Sequence, residues 1–224
     1  MASAPIMDAE IDEEIENGPI FDEEFLEKVK ACKINNPDQF VSFWEMDEND
    51  INEASAEEIE SNSGLMLLKA AESGNKELVE RLLSSDDSVL NYQDADGYTA
   101  LHRASYEGHS DVLELLLSKG ANIESQTADH WTPLHSACRW NEVKSVTVLL
   151  QHGANINSLT SSSQTPLHIA ANFSENSKVL ELLLSQPHID ISIKNSLGET
   201  AKDICTRCNP YEYLFDMAIR HSEI

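Results

Sequence analysis

Three histidines, His102, His135 and His168, recur at intervals of 33 residues, each three positions after a threonine (Thr99, Thr132 and Thr165). Imidazole binds zinc and exchanges protons near neutral pH, so a periodic set raises metal binding and acid–base chemistry first. Spacing argues against a shared ion. Equivalent side chains of packed helical units stand about 8–10 Å apart, whereas zinc draws each ligating nitrogen to about 2.1 Å. The second candidate is Cys205-Thr206-Arg207-Cys208. A zinc ribbon needs a second such pair, and a thioredoxin-like site needs a strand–helix–strand context. Cys138 is isolated, Cys32 lies in an acidic N-terminal stretch, and Cys205 falls on the side of Ile204, where packing is expected. A thiol redox role remains as a remote alternative that requires Cys205 and Cys208 exposed with depressed thiol pKa values. The acidic residues form no recognisable catalytic pair, and neither a Gly-rich phosphate loop nor a nucleophile elbow occurs. The expectation is a protein without catalysis, cofactor or metal.

The elements that hold these residues repeat with them. Thr132-Pro133-Leu134-His135-Ser136-Ala137 returns as Thr165-Pro166-Leu167-His168-Ile169-Ala170, and Thr99-Ala100-Leu101-His102-Arg103-Ala104 precedes both in the same register. Leu115-Leu116-Leu117 returns as Val148-Leu149-Leu150, and Gly120-Ala121-Asn122-Ile123 as Gly153-Ala154-Asn155-Ile156. A fixed period of this length denotes stacked supersecondary units, none of which buries its core alone. The phrase Thr-Pro-Leu-His-x-Ala at this period resembles the ankyrin-repeat family. The resemblance implies an all-α solenoid of about five helix–turn–helix repeats, in which the matching histidines are structural and hydrogen-bond within and between repeats. It also implies recognition of protein partners rather than catalysis.

Read along the chain, repeats are expected over about 63–94, 95–127, 128–160, 161–195 and 196–220, within a repeat domain spanning 61–221. Asn62-Ser63 supplies an N-cap for the first repeat, whose helices are expected at Leu65–Ser73 and Lys76–Leu83 around Gly74. The last repeat is degenerate, and its second helix is expected to start at Pro210. Residues 1–60 form an acidic, mostly disordered arm with a short helix expected at 21–33 and an aromatic cluster, Phe40, Phe43 and Trp44, among acids.

Net charge is −25, and it is uneven: residues 1–63 carry 19 acidic and 3 basic side chains, the remainder 21 and 12. Nucleic-acid affinity comes mainly from neutralising phosphates with Lys and Arg. Such a chain is therefore not expected to bind nucleic acid or an anionic membrane directly. Apolar runs fall far short of the roughly 20 residues of a membrane span, the start of the chain is unlike a signal or transit peptide, and four cysteines without an export signal suit a reducing compartment. Nucleus, cytoplasm or both are expected, with a monomeric chain.

In the family that the chain resembles, partner contacts cluster on inter-repeat turns and the inner helices. The matching positions here are Tyr98, Trp131 and Gln164 on the turns and Tyr106, Arg139, Trp140 and Phe173 on the helices, with Arg103 and His130 adjacent. Trp, Tyr and Arg are the side chains most enriched at binding hot spots, and Trp131 and Trp140 both belong to the middle repeat. The expectation is an adaptor or scaffold that engages a protein through this concave face. A closer likeness within the family, carried by Trp131 to Asn141, the Tyr211-to-Phe215 ending and the acidic arm, implies an alternative: a nuclear transcriptional co-regulator linked to germ-cell differentiation (spermatogenesis), using the arm. The arm could also fold back over Arg103 and Arg139.

Overall fold

A computed structural model describes Ile59 and residues 61–173, 177–208 and 210–222 of the chain. The expected arm, with its helix at 21–33 and with Phe40, Phe43 and Trp44, lies outside the described residues. Ten α-helices occur among them: α1 (Ser63–Glu72), α2 (Lys76–Ser85), α3 (Ala100–Tyr106), α4 (Ser110–Ser118), α5 (Pro133–Arg139), α6 (Val143–Gln151), α7 (Pro166–Phe173), α8 (Lys178–Leu184), α9 (Ala201–Cys208) and α10 (Tyr213–Ser222). No strand is present among the described residues, and one isolated bridge pairs Lys194 with Thr200.

The helices pair in sequence and stack in two rows. Inner helices α1, α3, α5, α7 and α9 each touch the next, as do outer helices α2, α4, α6, α8 and α10. Two columns of residues explain the inner row. Leu67, Leu101, Leu134 and Leu167 are buried at equivalent positions, each worth about 1.5–3 kcal/mol of apolar burial. Beside them Ala70, Ala104, Ala137 and Ala170 are also buried, and their small side chains let neighbouring helices approach. Cys205 occupies the next place in this alanine column and is fully buried.

Capping fixes the helix starts. The Asn62 side chain accepts the Gly64 and Leu65 N–H groups, and Asn75 accepts that of Leu78. Thr99 and Thr132 form capping boxes with His102 and His135 three residues on, and Thr165 makes the same contacts with His168. Helix reversal inside a repeat needs a left-handed residue. Gly108 supplies it at φ 77°, and a Cβ there would collide with the Glu142 side chain. Asn141 takes the corresponding place in the next repeat at φ 58°, a geometry that Asn tolerates better than most side chains.

One boundary differs from the sequence reading. Helix α10 begins at Tyr213, not Pro210, because Tyr211 and Glu212 form a turn whose carbonyls accept the Leu214 and Phe215 N–H groups at 3.0 and 3.1 Å. Pro210 lies in the bend before it.

Candidate functional site

The histidines are placed by the backbone around them. His102 Nδ1 accepts the Thr99 N–H at 3.2 Å and lies 2.9 Å from Thr99 Oγ1, while its Nε2 donates to the Trp131 carbonyl at 3.0 Å. His135 repeats the arrangement with Thr132 and the Gln164 carbonyl, and His168 with Thr165 and the Glu199 carbonyl, both at 3.2 Å across the repeat junction. Accepting at Nδ1 and donating at Nε2 is the neutral tautomer with both nitrogens used, so no lone pair is left for a metal ion. Burial is the main cause that pushes His102 and His135 down to about 4, against the backbone carbonyls that favour the charged ring. His168 is lowered for the same reason. These rings join repeats and are neutral near pH 7, each with its single ring proton committed to a carbonyl.

The cysteines are equally structural in their setting. Cys205 is sealed in the alanine column, and burial drives the Cys138 thiol far above its ordinary range. Cys208 is exposed and donates to Asn172 Oδ1 at 3.4 Å. The redox alternative required both members of the Cys205–Cys208 pair to be exposed, and one is not.

Each repeat from the second to the fifth opens with a backbone finger, and a column of side chains closes it. Asp94, Thr127, Thr160 and Asn195 each accept, through a side-chain oxygen, the N–H four residues on, at 2.8, 3.1, 3.1 and 3.0 Å. The fingers then bond to one another. The N–H groups of Ala128, Ser161 and Ser196 donate to the carbonyls of Asp96, Asp129 and Ser162 in the preceding finger. Trp131 is thus held twice, its N–H by Thr127 and its carbonyl by His102. This locking column was not singled out from the sequence, because its members, an Asp, two Thr and an Asn, have in common only an oxygen at the right reach.

The aromatic positions fall into two groups. Tyr106 and Trp140 come from adjacent repeats, and their rings meet at 4.7 Å between centroids. The Arg139 guanidinium lies 5.1 Å from the centre of the Trp140 ring. Trp131 packs on His135 at 6.0 Å. Tyr106, Trp131, Arg139, Trp140 and Gln164 are half-buried, and His130 is exposed at the tip of its finger. Tyr98 and Arg103 correct the sequence reading, being only 9% and 8% exposed. The cause is local: Asp94 accepts from Arg103 at 3.1 Å as well as from the Tyr98 N–H, and the guanidinium covers the Tyr98 ring at 4.6 Å. Phe173 ends α7, and its side chain is outside the described residues.

A stack of capped helix pairs joined by histidines and projecting locked fingers defines an ankyrin-repeat protein. The model of ankyrin repeats (three copies) matches residues 29–127 and 120–195, and the chain belongs to that family. It is similar to the mouse ankyrin repeat domain-containing protein 49, at 52% identity over 217 residues, covering 92% of this chain and 91% of the relative. The protein of the same name from Bos taurus is 54% identical over 159 residues, 71% of this chain and 67% of its own length. That from Drosophila melanogaster is 36% identical over 92 residues, 41% and 42% of the two chains. Ankyrin repeats are protein–protein interaction modules, and the chain is one by membership.

Proposed function

We propose that this protein is a non-catalytic adaptor or scaffold, acting in the nucleus or cytoplasm, that binds a protein partner through the concave face centred on its third repeat. The observation that carries the reading is the contact of Tyr106 with Trp140 beneath the Arg139 guanidinium, with Trp131 and His130 on the neighbouring finger. Large, rigid, amphipathic side chains bury area at low entropic cost, and they cluster at the centres of interfaces. The fingers and inner helices that carry them are locked by backbone bonds, so the surface is preorganised. The buried histidines and Cys205, by contrast, hold the scaffold together. Affinity capture with mass spectrometry, comparing wild type with Trp131→Ala/Trp140→Ala, tests the proposal once circular dichroism shows the variant folded. A partner lost from the variant alone supports the face; identical partner sets reject it.

A further inference from the structure

The last repeat breaks the pattern set by the others. Among the described residues four large apolar side chains are exposed, and three belong to it: Leu197 at 47%, Tyr213 at 51% and Met217 at 52%. The repeat register shows how unusual two of them are. Leu197 stands in the column of Asp96, Asp129 and Ser162, and Tyr213 in that of Asp111, Lys144 and Lys178. Both columns are polar in every earlier repeat and apolar only at the end. Met217 continues a column, Leu115, Val148 and Leu182, whose members are buried or half-buried. A terminal repeat ordinarily turns a polar face outward; this one does the reverse.

The backbone is also incomplete there. The carbonyls of Asp96, Asp129 and Ser162 each accept an N–H from the following finger. The equivalent carbonyl, that of Leu197, is the acceptor a further finger or a partner would fill. In the outer row α10 packs on α8, and on its other side no further described helix continues the row. Tyr213 and Met217, one turn apart on α10, form the ridge that another helix would straddle.

We propose that this C-terminal end of the repeat stack is a docking surface for a cationic amphipathic helix of a protein partner. The row of outer helices selects a helix as occupant. Charge selects its sign. The chain carries −25, so a second copy meets strong like-charge repulsion, whereas a basic helix is steered toward it. Among the described side chains of the repeat, Lys202 pairs with Asp216 and Arg207 with Glu199, while Glu212 and Asp203, whose carboxylate caps α9 at Thr200, are exposed.

The test uses the full chain with two synthetic helical peptides, one patterned from leucine and lysine, the other with glutamate in place of lysine. Leu197→Asp/Tyr213→Lys restores residue types that earlier repeats already carry at these places, and it leaves the net charge unchanged. The lysine peptide should bind wild type, bind the double variant about tenfold or more weakly, and protect amides of 197–218 from hydrogen exchange. Trp131→Ala/Trp140→Ala should bind that peptide as wild type does, which separates this surface from the concave face. Equal binding to wild type and the end variant would show mere charge attraction and overturn the proposal. So would tighter binding of the glutamate peptide, or a wild-type dimer in sedimentation that the end variant abolishes.

Discussion

His102 Nε2 lies 3.0 Å from the carbonyl oxygen of Trp131, so a buried ring of one repeat holds the backbone of an aromatic residue in the next. The same link recurs from His135 to Gln164 and from His168 to Glu199. Junction stability and the placement of the candidate binding face therefore depend on one column of neutral imidazoles.

That dependence makes the fold acid-sensitive. His102 and His135 are held down at about 4 by burial, while an unfolded histidine titrates near 6.5. Between those values the unfolded chain takes up protons that the folded chain refuses. Stability is full above about pH 6.5 and falls as pH drops toward 4, by roughly 1.4 kcal/mol per pH unit per histidine. Urea midpoints measured at pH 7, 6 and 5 should decline steadily. A flat profile over that range would show that the rings are protonated in the fold.

The buried pair Arg103–Asp94 gives a second prediction. Asp94 accepts from Arg103, from the Asp96 N–H and from the Tyr98 N–H, and both charged side chains are nearly inaccessible. Asp94→Ala removes all three bonds and should cost about 3 kcal/mol. Asp94→Asn keeps an oxygen for the finger N–H groups and should cost less. Chemical denaturation of the two variants checks the order; equal losses would mean that charge, not finger closure, is the larger contribution.

How much of this was legible in the sequence follows from what kind of pattern each feature leaves. The histidines, threonines and leucines repeat by residue type, and their period predicts the stack, while the place of Cys205 on the side of Ile204 predicts its packing. The finger lock repeats by function rather than by one residue type, since a carboxylate (Asp94), two hydroxyls (Thr127 and Thr160) and an amide (Asn195) serve as its acceptors. Tyr98 and Arg103 read as surface because their places match or adjoin the partner-contact positions of the family, and their burial depends on Asp94, nine residues before Arg103. The start of α10 was misplaced because proline favours a first turn without requiring one at Pro210.

Ser145 offers a test of packing by repeat register. It sits where the neighbouring repeats place Val112 and Val179, and its hydroxyl is buried without a partner among the described residues. Such a group loses its water and gains nothing in exchange. Ser145→Val should stabilise the protein by about 1 kcal/mol, seen as a higher Tm. A lower Tm would mean that the space beside α4 and α8 cannot take the second methyl group.

His130 carries the strain that bears most directly on recognition. It holds φ 59° at a finger position where Ser163 holds 58° and Gly97 and Gly198 hold 84° and 77°. A side chain in that region costs about 1–2 kcal/mol relative to its ordinary backbone, partly offset because glycine loses more entropy on folding. His130→Gly should therefore stabilise the fold by about 0.5–1 kcal/mol. Asn141→Gly, at φ 58°, should gain less, because Asn adopts that region more readily than His. Strain of this kind persists where a side chain has work to do, and His130 is exposed beside Trp131. Partner capture with His130→Gly separates the possibilities: a more stable variant that holds its partner less well makes the ring part of the contact. Undiminished capture would remove His130 from the recognition surface and leave Trp131, Tyr106, Arg139 and Trp140 to carry it.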